Sequence, residues 1–239
     1  MENNIDAKLQ QSPVKKKATW ITLRFILALV MFLITLFVFV AIADEIVLEH
    51  ENTFDQSISS FIQSFQTDSF TQLMKGVTFF GSSTFLFPAY IILILYFLLR
   101  KKGRLALDIS MIGLSSTGIL FLFKDIFRRH RPLDPLISDV TGFSFPSGHS
   151  FSSFTFFGML IYILWQAKIH TGWKVFVAIV LVLFAASIAL SRVYLRVHYP
   201  SDVVAGFCLS ILWLMISLWV LHKADRELSF SKKTKAKTR

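Results

Sequence analysis

FILALVMFLITLFVFVAIA, running from Phe25 to Ala43, contains no charged residue. A helix needs about 20 mostly apolar residues to cross a hydrocarbon core of about 30 Å, and this stretch meets that length. Five further runs follow it: about Thr84 to Leu99, Leu105 to Phe123 with only Asp108 inside it, about Ser147 to Ala167, Val175 to Leu190, and Val203 to Leu221. None alternates in the manner of a strand, and lipid forces backbone hydrogen bonds to close within each segment, so all six read as helices. Composition agrees: hydrophobic residues make up 54% of the 239, charged residues 17%, and the mean hydropathy is +0.59. A soluble domain carries more charge than that. One cysteine leaves neither a disulfide framework nor a Cys-rich metal scaffold. The net charge of +10 is clumped between the apolar runs instead of covering a folded surface, so no nucleic-acid partner is expected. The fold class is all-α, a polytopic membrane bundle of six transmembrane helices.

Lys and Arg set the orientation. With both termini cytoplasmic, all of the 25 basic residues fall on the inner side except Lys75, Lys124, Arg128, Arg129, Arg131, Arg192 and Arg196. Ala41-Ile42-Ala43 resembles a signal cleavage site, but the apolar run before it is longer than a signal core, and it reads as an uncleaved anchor. Residues 1–19 then form a cytoplasmic tail, 20–223 a six-span membrane domain, and 224–239 a basic cytoplasmic tail. The Lys-rich stretch from Ser229 to Arg239 reads as disordered and held near anionic headgroups. Between the first two spans an acidic loop (Asp44, Glu45, Glu49, Glu51, Asp55) leads into Phe54, Ile58, Phe61, Ile62 and Phe65 at helical spacing. Phe70, Leu73, Met74 and Val77 repeat the pattern before Gly81. These are short extracytoplasmic amphipathic helices, lying on the membrane face or packed on the protein.

Three outer segments concentrate polar residues at span ends. In Lys124-Asp125-Ile126-Phe127-Arg128-Arg129-His130-Arg131-Pro132, a continuing helix would put Lys124, Arg128 and Arg131 on one face until Pro132 ends it. In Phe145-Pro146-Ser147-Gly148-His149-Ser150, Ser147 is an N-cap, Gly148 admits close approach of the backbone to an anion, and His149 is suited to acid–base work. In the third, Ser191 to Asp202, Pro200 suits a first helical position, with His198 just before the sixth span and Asp202 in its first turn. A carboxylate there can hold one imidazole nitrogen and leave the other exposed as a nucleophile. Asp202 could also serve simply as the helix cap. His130, His149, His198 and Asp202 could in principle hold zinc, but Lys124, Arg131 and Arg192 repel a metal and attract an anion. Such a residue set suits a phosphoryl group.

With these residues the sequence resembles the membrane-bound type-2 phosphatidic acid phosphatase family, the lipid phosphate phosphatases. Its three motifs stand complete and in order: Lys124 to Pro132 (Lys, six residues, Arg-Pro), Pro146 to His149 (Pro-Ser-Gly-His), and Ser191 to Asp202 (Ser-Arg, five residues, His, three residues, Asp). The resemblance covers about Thr84 to Leu221, with the general layout of the first span and outer helices. It implies that Lys124, Arg131 and Arg192 clamp the phosphate oxygens, with Ser147 and the Gly148 amide adding hydrogen bonds. His198 is then the nucleophile that forms a phosphohistidine, Asp202 its orienting carboxylate, and His149 the acid for the leaving oxygen. No metal or cofactor is implied. Arg196 stands where many relatives carry a small residue. With Arg128 and Arg129 it is a candidate contact for a second phosphate or an anionic headgroup.

The expected function is hydrolysis of a lipid phosphomonoester or diphosphate at the extracytoplasmic face of the cell membrane. Phosphatidylglycerol phosphate, undecaprenyl diphosphate and phosphatidate are the implied substrates, with the bilayer as partner and no obligate protein partner. A lipid-linked phosphotransferase with a non-water acceptor would use the same residues. Vanadium-dependent haloperoxidases share the three motifs but are soluble, so six spans argue against that reading.

Overall fold

Helix starts fall where side chains can cap them. Thr67 accepts a hydrogen bond from Phe70 N, Ser82 from Phe85 N and Ser147 from Ser150 N, each relieving one unpaired amide of a first turn. Pro13 and Pro200 occupy first helical positions, where a missing N–H costs nothing. The structure, a computed structural model, describes residues 13–45, 53–138 and 140–237. Residues 1–12 of the expected tail, Glu49 and Glu51 of the acidic loop, and Arg239 lie outside them. In chain order the helices are α1 (Pro13–Asp44), α2 (Thr53–Gln63), α3 (Asp68–Phe79), α4 (Ser83–Leu99), α5 (Gly103–Phe127), α6 (Gly148–Gln166), α7 (Thr171–Tyr194) and α8 (Pro200–Lys237).

Five stretches of the described residues are long and apolar enough to cross a membrane: Phe25–Asp44, Asp68–Leu99 (α3 with α4), Gly103–Phe127, Thr171–Tyr194 and Pro200–Ala224. The remaining expected span, α6, is 19 residues long but carries polar residues in its first half. Ser150, Ser153 and Thr155 are fully buried, because α6 packs most extensively of all against α7 and α8 and meets lipid least. The other helices turn large apolar side chains outward: Phe37 is 73% exposed, Ile92 67% and Leu114 71%, a surface suited to lipid.

Lipid tails are as apolar as leucine, so the helices gain little by burying leucine against one another and associate through close contact of small residues. Gly158 and Gly206 lie on the α6–α8 seam, and Gly81 faces α6 and α7 from the turn between α3 and α4. Phe39 and Ala43 of α1 pack with Phe145, Phe151, Ala205 and Leu209, closing the bundle on the α8 side. Both amphipathic helices form, and they pack on the protein: α3 lies against α7, and α2 crosses the ends of α7 and α8. Met74 sits over Tyr194 and Leu195, while Phe61 of α2 and Phe65 in the turn after it remain exposed.

Two expectations are corrected. The helix of the third span does not run on to Pro132; it stops at Phe127 because Arg128 adopts a left-handed conformation with φ 46° and its amide returns to Lys124 O. Residues 229–237 of the Lys-rich stretch are not disordered, since α8 continues to Lys237. No proline follows Pro200 and the only later glycine is Gly206, so the Lys- and Ala-bearing tail has helix formers and no breaker.

Candidate active site

Four helix ends meet at one end of the bundle: the C-terminal ends of α5 and α7 and the N-terminal ends of α6 and α8. The α7 terminus shows how local conformation aims the site. Val197 N bonds to Arg192 O at 3.1 Å and Arg196 N to Val193 O at 3.0 Å, a paired terminal motif that requires a left-handed residue, here Arg196 with φ 54°. The reversal carries Val197 and His198 back over α7 and delivers the chain to Pro200. An ideal Cβ on Gly206 would lie 2.8 Å from Ser147 O, so the first turns of α8 press directly on the start of α6. Ser147 N also donates to Asp202 O at 3.0 Å. The second and third motifs are therefore locked together through backbone.

His198 is 2% exposed and Asp202 fully buried. His198 Nδ1–H donates to Asp202 Oδ2 at 3.3 Å, which leaves the Nε2 lone pair facing Arg131, whose Nη1 donates to it at 3.2 Å. Burial, above all, lowers the His198 pKa from 6.5 to about 4; Arg192 and Arg131 act in the same direction, and Asp202 opposes them. The imidazole is thus neutral at physiological pH, as the expected nucleophilic role requires. Asp202 is held on every side: Oδ2 accepts from the Ser144 hydroxyl and from Tyr199 N at 2.9 Å, and Oδ1 accepts from Arg129 Nη1 at 2.7 Å.

The three expected clamp residues converge on this pair. Arg131 is splayed by donations to Gly142 O, Thr141 O and Val197 O. Lys124 Nζ reaches Phe143 O at 2.5 Å, and its Cε lies 3.8 Å from the Cβ that Gly148 lacks. Arg192 is 4% exposed and donates through Nη1 to Thr78 Oγ1 of α3 at 2.7 Å. Ser147 is buried and accepts from Ser150 Oγ at 2.9 Å. His149 stands within electrostatic reach of Arg192, His198, Arg131 and Lys124, with its Cδ2 3.2 Å from the position a Gly81 Cβ would take. The residues expected to serve as nucleophile, orienting carboxylate, acid and clamp cations thus gather at one place. Among the described residues, no three His, Cys, Asp or Glu side chains are grouped to hold a metal ion.

The candidates for a second anion contact separate. Arg128 turns to solvent and pairs with Asp125 at 2.8 Å, both exposed. Arg129 is almost buried and is engaged by Asp55 and Asp202, each at 2.7 Å. Arg196 donates to Gln66 Oε1 at 3.0 Å and, with His198 and Tyr199, lines a cavity of about 220 Å³ beside the site. Ser144 and Asp55 join the site without having been expected there. Ser144 immediately precedes the second motif, which is a local signal that could have been read. Asp55 was grouped with an acidic loop, and nothing in the local sequence separates it from its neighbours there.

Comparison with known proteins identifies the family. Residues 105–226 match the PAP2 superfamily model. Phosphatidylglycerophosphatase B of Bacillus subtilis (strain 168) is 29% identical over 160 residues, covering 66% of this chain and 78% of that protein. The bacitracin transport permease protein BcrC of Bacillus licheniformis is 27% identical over 159 residues, covering 63% and 73%. The crystal structure of the transmembrane PAP2-type phosphatidylglycerolphosphate phosphatase from Bacillus subtilis superposes with a TM-score of 0.72 at 28% identity, over 82% of this chain and 96% of that one. Aquifex aeolicus LpxE shares the fold, with a TM-score of 0.52 at 24% identity over 68% and 93% of the two chains. The family model and the shared architecture show that the chain belongs to the PAP2 superfamily and is a multi-pass membrane phosphatase of that family.

Proposed function

We propose that the protein hydrolyses a phosphomonoester or diphosphate of a membrane lipid through a phosphohistidine on His198. The observation that carries this reading is the His198 imidazole itself: Nδ1 is tied to Asp202, and Nε2 faces the Arg131 guanidinium, where a phosphoryl group would be held for in-line attack. Lys124, Arg131 and Arg192 neutralise the phosphoryl oxygens, with the Ser147 hydroxyl and the Gly148 amide at the α6 N-terminus completing the cradle. His149 protonates the leaving oxygen, then takes a proton from the water that attacks the phosphohistidine. Fixed cations supply the positive charge, so no metal is given a step.

Lipid specificity is supported by an apolar groove of about 500 Å³ between α4 and α6, lined by Phe79, Phe85, Pro88, Ile92, Phe156 and Leu160. Its upper end is beside the turn that touches His149, so a leaving group protonated there can keep its tail in the bilayer. Arg196 is held left-handed at a position that glycine would occupy without strain, and it suits a second phosphate or an anionic headgroup next to His198. Arg128 and Arg129, engaged elsewhere, are not assigned to that contact. The site belongs at the extracytoplasmic face: Arg100, Lys101, Lys102, Arg104, Lys168, Lys174 and Lys223 gather at the opposite end of the bundle. Detergent-purified protein should release phosphate from phosphatidylglycerol phosphate, phosphatidate or undecaprenyl diphosphate in excess EDTA, and His198→Ala should release none. Release abolished by EDTA would contradict the metal-free reading, and phosphate transfer to a lipid or sugar acceptor without net release would make the enzyme a phosphotransferase.

A further inference from the structure

Asp55 belongs to α2, the amphipathic helix that crosses the outer ends of α7 and α8, yet it is only 3% exposed. Its Oδ1 accepts from Ser201 N at 2.8 Å and its Oδ2 from Ser201 Oγ at 2.7 Å, so it caps α8 one residue before Asp202. The same Oδ2 pairs with Arg129 Nη2 at 2.7 Å. Arg129 Nη1 in turn donates to Ser201 Oγ at 2.8 Å and to Asp202 Oδ1 at 2.7 Å, and the guanidinium lies 4.0 Å over the Tyr199 ring. Every one of these distances is that of a charge-assisted hydrogen bond or a close cation–π contact.

We infer that Asp55 and Arg129 are positioning residues: a buried chain Asp55–Arg129–Asp202, anchored on α2, fixes the carboxylate that orients the nucleophile His198. The inference rests on the proposed role of His198. It assigns Arg129 to the far side of Asp202 from the imidazole, where it cannot also hold a substrate phosphate. Asp202 presents one oxygen to His198, Tyr199 N and Ser144, and the other to Arg129. A carboxylate gripped at both oxygens cannot rotate, and its imidazole partner keeps one orientation. Burial works against the Arg129 charge, but Asp202 and Asp55 more than offset it and raise its pKa, so the guanidinium keeps its charge.

The charge pattern makes the two links separable. His198 faces Asp202 from α8, Arg192 from α7, His149 from α6, Lys124 from α5, and Arg131 and Ser144 from the loop between α5 and α6. Arg129, with Asp55 behind it, acts on His198 through Asp202. Removing the Arg129 charge leaves Asp202 uncompensated, and its field then favours imidazolium. Removing the Asp55 charge frees Arg129 for Asp202 alone and does the opposite.

The test uses the full chain in detergent, with dioctanoyl phosphatidate as substrate and ¹⁵N-histidine NMR to follow His198. A misplacement of about 1 Å costs about 10²-fold in rate, so Arg129→Gln should lower kcat about 10²-fold with KM changed by less than about threefold, and Arg129→Lys should recover about tenfold. Asp55→Asn, which keeps an acceptor for Ser201 N, should lower kcat about tenfold on the same scale. Breaking the exposed Arg128–Asp125 pair with Asp125→Asn should leave kcat unchanged. The His198 midpoint should rise by about one pH unit or more in Arg129→Gln and should not rise in Asp55→Asn. A loss carried by KM would make Arg129 a phosphate ligand and overturn the inference. So would an unmoved His198 midpoint with activity falling only as the folded fraction falls. If the unaltered enzyme releases no phosphate from the probe, the phosphatase reading fails on that substrate, and the His198 titration in the variants still decides the positioning claim.

Discussion

Replacing Gly206 with alanine tests whether the contact between α6 and α8 sets the distance between the second and third motifs. The added Cβ would meet Ser147 O at 2.8 Å, Ser150 Cβ at 3.1 Å and Phe151 N at 3.2 Å. Two of those atoms are backbone and cannot rotate away. To reach the 3.4 Å of ordinary contact, α8 must back off by about 0.6 Å, carrying Asp202 and His198 from Ser147 and His149. With about 10²-fold lost per 1 Å, a displacement of about 0.6 Å corresponds to about tenfold in kcat. Overpacking costs about 1–3 kcal/mol, while alanine returns about 1 kcal/mol of helix propensity, so the variant should still fold. Gly158→Ala is the matched control on the same seam. Its Cβ would meet Leu214 Cδ1 at 2.6 Å, the tip of a side chain that can turn aside. Phosphate release from dioctanoyl phosphatidate, with thermal unfolding in detergent, should show Gly206→Ala down about tenfold and Gly158→Ala within about twofold of the parent. Equal kcat in both variants would refute the claim that this contact sets the catalytic distance.

His149→Ala should lose about 10²–10⁴-fold on a lipid phosphate, whose alkoxide leaving group needs a proton, and far less on an aryl phosphate. Equal losses on the two substrates would remove His149 from the acid role. Asp202→Asn should lower kcat by about 10⁴-fold by presenting an amide to Nδ1 and releasing the correct tautomer, and a loss below about tenfold would contradict the orienting role. Because burial holds His198 near 4 against 6.5 when unrestrained, the unfolded chain binds more protons between those values. Stability should therefore fall as pH drops through that window and level off below about 4, while His198→Ala should lack this component when unfolding is followed against pH. Ser144→Ala removes one donor to Asp202 Oδ2 and should cost about tenfold in kcat with KM unchanged, and a loss confined to KM would contradict that role.

Most of the bundle was legible because lipid solvation leaves a strong mark: long uncharged runs have few alternatives. The exception, α6, is informative. Its first half is polar because it holds the site, and it can cross only by burying Ser150, Ser153 and Thr155 between α7 and α8. The helix stop at Arg128 left no trace, since a left-handed arginine lacks the signature of glycine or proline. The three motifs were readable at short spacing, and the structure brings them together at one end. What spacing could not reveal is the support behind them. Asp55 lies 146 residues from Ser201 in sequence, and only the docking of α2 across α8 makes it a cap and an ion-pair partner. Arg129 sits two residues from Arg131, the expected clamp arginine, and looks from sequence like another. Its neighbours, two buried carboxylates, give it a different task.

Trapping the phosphoryl-enzyme tests the central claim most directly. The enzyme is mixed with radiolabelled lipid phosphate, quenched in alkali within the first turnover, and the labelled peptide is mapped. Label that is stable to alkali, labile to acid, located on His198 and absent from His198→Ala is the expected result. Label retained in His198→Ala, or turnover with no phosphoryl-enzyme at any quench time, would contradict the mechanism.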